Sequence, residues 1–237
     1  MELVVLGSKG LAPTRHKRVK KYTQALILDG KTKILIDAGN KVDFYPDLVL
    51  ITHLHKDHIG KFDSLPRRTK VGIPHRSFLW KLRKLNPLVD FYLLEPKRIN
   101  KFKGFKIIPF EVPHSRTTRT FGYRIEKGNL KLVWLPDFRR FKGALKFLKR
   151  LDYLFIGTSA LKRDILHRNH DIHGQQSIIN SLETLKEKQI RPKKIYLIHF
   201  GQGLAPLKVK VKYIQKQFPM FDIEETFDGK RIKLKDL

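Results

Sequence analysis

The sequence predicts an α/β fold, and three observations carry that prediction. Short apolar runs bounded by Gly, Pro, Asn and Asp recur along the chain, with stretches of helical spacing between some of them. The 237 residues are 41% hydrophobic and 11% aromatic, enough for one large core, and no linker-like or low-complexity segment interrupts them. Polar residues with ligand chemistry also fall just past the C-terminal ends of several apolar runs, where α/β sheets gather their ligands. One domain over residues 1–237 is the economical reading.

In chain order, residues 2–6 read as a strand that ends in the turn Gly7-Ser8-Lys9-Gly10. A basic run follows, with Arg15, His16, Lys17, Arg18, Lys20 and Lys21. Segments 25–28 and 34–37 pair as a hairpin around Asp29-Gly30, and 48–51 is a buried strand. Segment 70–73 is a strand, and 76–85 is a helix with Phe78, Leu79, Leu82 and Leu85 on one face. Strands at 91–94 and 105–110 precede a second hairpin, 121–125 with 130–135. Segment 141–148 is a short helix, 153–156 a strand, and 162–173 a polar, histidine-rich loop. The remainder reads as helix 177–188, strand 195–198, helix 209–217 and a basic strand at 231–234.

The densest chemistry lies at His53-Leu54-His55-Lys56-Asp57-His58, directly after the apolar run 48–51. Three imidazoles and a carboxylate within six residues form a metal-ligand pattern that composition alone does not produce. His53 and His55, two apart on an extended strand end, point to the same side. Asp57 and His58 follow a turn and approach the same space from another direction. Two pairs of ligands from two sides suit two metals and a hydroxide shared between them. Asp37, His114, Asp137 and His199 each stand within about two residues of another strand's C-terminal end.

With these positions assembled, the chain resembles the metallo-β-lactamase superfamily of binuclear hydrolases, over nearly its whole length. The resemblance rests on Ile36-Asp37-Ala38-Gly39, the motif from His53 to His58, and then His114, Asp137 and His199 in order. It implies an αββα sandwich, two mixed sheets face to face with helices outside and the metals at one edge. It further implies that His53, His55 and His114 hold one metal, that Asp57, His58 and His199 hold the other, and that Asp137 bridges them. Asp57 would also orient the hydroxide, and Asp37 would hold a ligand histidine or its loop. All-His/Asp ligation admits two divalent ions, zinc foremost, with manganese or iron as alternatives.

An acidic bridging position and the absence of cysteine point away from the β-lactamases proper. The stretch His173, Gly174, Ser177, Ile178 is similar to the phosphodiesterase branch, which includes the tRNA 3′-processing endonucleases and a cyclic-phosphate phosphodiesterase. In that branch a histidine at the place of His173 touches the scissile phosphate and assists the leaving group; His167 and His170 compete for the role. The 23 residues from His114 to Asp137 hold a hairpin and leave no room for the long tRNA-gripping arm of the processing enzymes. Arg116 and Arg119, just past His114, are candidates for a phosphate clamp.

Charge bounds the partner. Lys and Arg number 50 against 22 Asp and Glu, a net +28, and with only 8 Glu this is not the balanced charge enrichment of heat adaptation. The excess favours a polyanionic substrate, nucleotide or nucleic acid. No run has transmembrane length, no signal-peptide pattern opens the chain, and a cytoplasmic location is the expectation. Family likeness makes a homodimer unsurprising. The function expected is thus a two-metal phosphodiesterase. A carboxyl-ester, thioester or lactone hydrolase on the same metals is the alternative, and a basic nucleic-acid-binding protein with a vestigial site is a third reading.

Overall fold

The computed structural model describes residues 1–11, 17–141, 143–158, 164–168, 172–201 and 207–235, with the backbone alone at 165, 167, 168, 172, 173, 175 and 207–210. Apolar strands that bury both faces must be covered on both, and that requirement sets the architecture. Strands β1 (Glu2–Gly7), β2 (Gln24–Asp29), β3 (Thr32–Ile36) and β4 (Leu48–Leu50) come first, then helix α1 (Lys56–Ile59). Next are β5 (Lys70–Ile73), α2 (Ser77–Leu85), β6 (Asp90–Leu93), β7 (Asn100–Phe102), β8 (Phe105–Val112), β9 (Thr120–Lys127) and β10 (Leu130–Leu135). The chain continues through β11 (Tyr153–Gly157), β12 (Ile165–Arg168), β13 (Ile172–Gln175), α3 (Ile178–Glu187), β14 (Lys194–Ile198), α4 (Leu207–Gln217), β15 (Ile223–Glu225) and β16 (Lys230–Lys233).

Among the described residues these strands make two seven-stranded sheets, ordered β16-β1-β2-β3-β4-β5-β6 and β15-β14-β11-β10-β9-β8-β7, with β12 and β13 as a separate pair. Both sheets mix parallel and antiparallel pairs. Alternation along each strand sorts its residues into layers. Leu3 and Val5 of β1, Ile34 and Ile36 of β3, and Leu132 and Trp134 of β10 meet in the core between the sheets. On the outer face of the first sheet, Val4, Leu35 and Val49 pack with Phe78 and Leu82 of α2. On the outer face of the second, Val133 and Leu135 pack with Ile178, Leu182 and Leu185 of α3 and Ile214 of α4. The order of layers is therefore helix, sheet, sheet, helix, as the resemblance implies.

Three readings need correction. Segment 141–148 is not a regular helix: a 3-10 turn at Leu145–Leu148 is all that forms, because Phe147 and Leu148 bury against the second sheet directly. Within the expected loop 162–173, β12 and β13 pair antiparallel, with Ile165 opposite Gln175. Strand 34–37 ends at Ile36, since Asp37 takes a left-handed conformation with φ 62°. The short strands β7 and β15 and the one-turn α1 lack the periodicity that would announce them. No helix among the described residues is long and apolar enough to cross a membrane.

Candidate metal centre

Strand ends from both sheets deliver the site. The first sheet contributes the segment after β4, and the second contributes His114 after β8, Asp137 after β10 and His199 after β14. Two buried bonds tie the sheets together here. The Tyr123 hydroxyl donates to the Ile51 carbonyl at 2.7 Å, and the Phe121 N–H donates to the Thr52 carbonyl at 2.9 Å. Burial of Tyr123, with the Asp37 carboxyl near, raises its phenol pKa well above the usual value, so it stays a donor.

Close backbone approach sets the rest. A Cβ at Gly39 would lie 2.1 Å from the Asp57 carbonyl oxygen, so glycine is required where the loop after β3 meets α1. Ala38 N–H donates to the His58 carbonyl at 2.7 Å in the same contact. His199, like Asp37, has a left-handed backbone, φ 55°. Such conformations cost on the order of 1 kcal/mol and persist where surrounding structure holds them.

The seven residues singled out as ligands converge. His Nδ1 or Nε2 and carboxylate oxygens of His53, His55 and His114 lie within 4.8 Å of one another, as do those of His53, His58 and Asp137 and those of Asp57, His58 and His199. Asp137 stands at the centre: Oδ2 is 2.9 Å from His58 Nε2, 3.1 Å from His199 Nε2 and 3.8 Å from His53 Nε2, and Oδ1 is 3.9 Å from His114 Nε2. His53 Nε2 and His55 Nδ1 approach to 3.0 Å.

Partners behind the rings fix which nitrogen faces inward. Asp37 Oδ2 accepts from His58 Nδ1 at 2.7 Å, and its two oxygens also accept from Thr52 N–H (2.8 Å) and the Thr52 hydroxyl (3.0 and 2.8 Å). The Gly174 carbonyl accepts from His114 Nδ1 at 2.7 Å, while Gly174 N–H donates to the His114 carbonyl at 2.9 Å. Each arrangement leaves Nε2 turned toward Asp137, the second-nitrogen orientation that metal-binding histidines require.

Protonation follows environment. Burial, then the neighbouring His58, His55 and His114 rings, hold His53 well below the ordinary imidazole pKa. Burial also takes His114 down to about 4, against the pull of Asp137. His58 is opposite: burial disfavours its charge, but the Asp57 and Asp37 carboxylates outweigh burial and raise its pKa well above the usual value. Burial would raise Asp57 and Asp137 too, yet the adjoining histidines hold both carboxyls well below the usual range.

These residues fit divalent ions. Asp57 Oδ1 and Asp137 Oδ2 are buried without an aligned hydrogen-bond donor, although imidazole nitrogens crowd around Asp137. Contacts that are short but not aligned are what a set of donors aimed at a cation looks like, and neutral imidazole with carboxylate suits zinc, manganese or iron.

The remaining expectations divide. Arg116 and Arg119 are not brought among the seven; they line a cavity of about 700 Å³ with Lys97, Thr117 and the chain neighbours of His114, Pro113 and Ser115, and Arg119 pairs with Glu111 at 3.2 Å. His173 has its backbone in β13 beside Gly174, and its side chain lies outside the described residues. His170 lies wholly outside them, as does the side chain of His167. Thr52 and Tyr123 escape sequence reasoning, and the stretch from His173 to Ile178 does not reveal Gly174 as the partner of His114. Thr52 alone gave a signal, as a hydroxyl directly before His53 in a buried run.

Fold and site together define a metal-dependent hydrolase of the αββα class. Residues 32–200 match the model of the beta-lactamase superfamily domain, and the chain belongs to that superfamily. Among solved structures it is similar to the metallo-beta-lactamase fold protein YhfI from Bacillus subtilis, 16% identical, with 98% of each chain covered and a TM-score of 0.76. It is also similar to a diphosphatase from the PhnP family, 20% identical over 99% of this chain and 98% of that one, TM-score 0.70. The short form of human tRNase Z is 15% identical over 100% of both chains, TM-score 0.68. A search of curated proteins found no match.

Proposed function

We propose that this chain is a two-metal phosphodiesterase acting on a nucleotide-type or nucleic-acid phosphodiester. The observation that carries the reading is the placement of Asp137 among His53, His58, His114 and His199, which lets one carboxylate serve two ligand sets. His53, His55 and His114 would hold one ion, Asp57, His58 and His199 the other, with Asp137 between them and zinc the best match. Such ions supply a water of lowered pKa and positive charge against oxygens of the reacting phosphoryl group.

The chain's own residues do the rest. Asp57 offers the buried Oδ1 as a hydrogen-bond acceptor that would orient the attacking hydroxide toward phosphorus. Asp37 and Thr52 keep the His58 ring in one tautomer, and Gly174 does the same for His114. His173, neighbour of Gly174, donates a proton to the leaving oxygen. Arg116 and Arg119 bind the flanking part of the substrate in the cavity beside His114. The names of two similar structures, a diphosphatase and a tRNA nuclease, support a phosphorus-centred substrate. So does the net charge of +28.

Turnover of bis(p-nitrophenyl) phosphate by zinc- or manganese-loaded protein, beside a thioester and a lactone, tests this. Diester cleavage lost in Asp137→Ala is expected. Cleavage of the thioester or lactone with an inert diester would move the chain to carbonyl chemistry, and failure to bind metal would end the enzymatic reading.

A further inference from the structure

A second concentration of positive charge lies outside the metal centre. A cavity of about 570 Å³ is lined by Lys9, Lys20, Lys21, Tyr22, Lys41 and Lys61, and Asp43 is the single carboxylate among its described lining residues. Five lysines lining one concavity against a single carboxylate make it favour an anion.

Its walls are held by groups other than the lysine side chains. Asp228 accepts from the N–H groups of Ser8 (3.1 Å), Lys20 (2.7 Å) and Lys21 (2.8 Å). Asn40 accepts from Tyr22 N–H at 2.9 Å and donates to the Tyr22 carbonyl at 2.6 Å. Tyr22, a half-buried ring, has the Lys9 ammonium 5.3 Å from its centroid. The same backbone reaches the metal centre twice. Gly10, beside Lys9, lies so close to His199 that a Cβ would sit 2.7 Å from its Cε1, and Gly39 in the cavity wall lies against Asp57.

We propose that this cavity is a subsite for the backbone phosphates of a single-stranded nucleic acid whose scissile diester lies at the metal centre. It rests on the phosphodiesterase reading for the reacting bond, and on charge and shape for the binding. A depression of about 570 Å³ has room for a short stretch of single strand and not for the width of a duplex. Lysines are mobile point charges that follow a phosphate backbone without reading sequence, and an aromatic ring among them gives a base a surface to stack on.

The test is fluorescence anisotropy of metal-loaded protein with a labelled phosphorothioate single strand, which keeps the backbone charge and resists cleavage. Lys41→Gln/Lys61→Gln is expected to bind about tenfold more weakly and to lower the log–log salt slope by about 1.4. Lys186→Gln/Lys188→Gln removes the same charge from the exposed end of α3 and is expected to stay within about twofold of wild type. Equal weakening in both variants, or in neither, overturns the subsite, as does a wild type that does not bind. Because binding is read without turnover, the two ideas fail separately. Selective loss in Lys41→Gln/Lys61→Gln without diester cleavage keeps the subsite and removes the phosphodiesterase reading. Cleavage without selective loss does the reverse.

Discussion

The sheets meet differently at the two ends of their strands. At the end away from the metal centre, Lys103 pairs with Asp47 and Lys127 with Asp29, all partly open to solvent. At the metal end, the joints are the buried Tyr123–Ile51 and Phe121–Thr52 hydrogen bonds, surrounded by seven buried or half-buried His and Asp side chains. Exposed ion pairs contribute little, and either partner is replaceable. Buried polar clusters are costly unless every member is satisfied. One end is therefore closed by contacts that tolerate loss, and the other by a set that a bound cation completes.

The largest effect expected from this contrast is on metal removal. Chelation should lower the melting temperature by about 10 °C, because metals that bind only the folded chain stabilise it by mass action. Thermal scans with and without chelator measure it, and an unchanged midpoint would mean that the cluster is already satisfied without ions. Asp37→Asn comes next. Asn accepts the left-handed backbone at this position but loses the charge behind His58, and a 10–100-fold drop in metal affinity is expected from competition titration, roughly the cost of losing such a partner.

Much of this contrast is legible in the sequence. The motif from His53 to His58 is local, so its ligands sit together in the chain as they do in space, and the apolar run before it marks the strand that carries them. His114, Asp137 and His199 are legible only as strand-end residues in order. Their supports are not legible at all. Nothing near Gly174 in sequence says that its carbonyl lies on His114, 60 residues away, and a tyrosine in a β-strand gives no sign that its hydroxyl reaches the other sheet. Local periodicity finds elements; partners set by docking of sheets leave no such trace. The failed helix at 141–148 has the same origin, since its apolar residues serve the second sheet and not a helix face.

Smaller changes sharpen the comparison. Tyr123→Phe removes one buried inter-sheet bond and should cost about 1 kcal/mol in denaturant unfolding. A loss confined to metal affinity, with stability intact, would show that this bond positions the site without holding the sheets. Asp47→Asn at the other end should cost only about half a kcal/mol at neutral pH. Burial would raise the Asp47 carboxyl, but Lys103 and the Lys33 N–H outweigh it, so its pKa is lowered from 3.8. Its contribution is present above the unfolded value and disappears as pH falls through the lower folded one. The gap between wild type and variant should accordingly close below about pH 4. A gap that persists in acid would mean that the side chain acts through packing.

His58 and His199 stand 141 positions apart, and their Nε2 atoms lie 3.3 Å from each other. No fragment ending before β14 contains both, and neither sheet alone contains the set. A nascent chain emerging from the ribosome therefore has the set of Asp57, His58 and His199 incomplete until the last third has been reached and docked, whereas His53, His55, His114 and Asp137 are all made before it. An ion held by the later set would be acquired late in the life of the molecule, and its occupancy would certify that both halves of the sandwich have assembled.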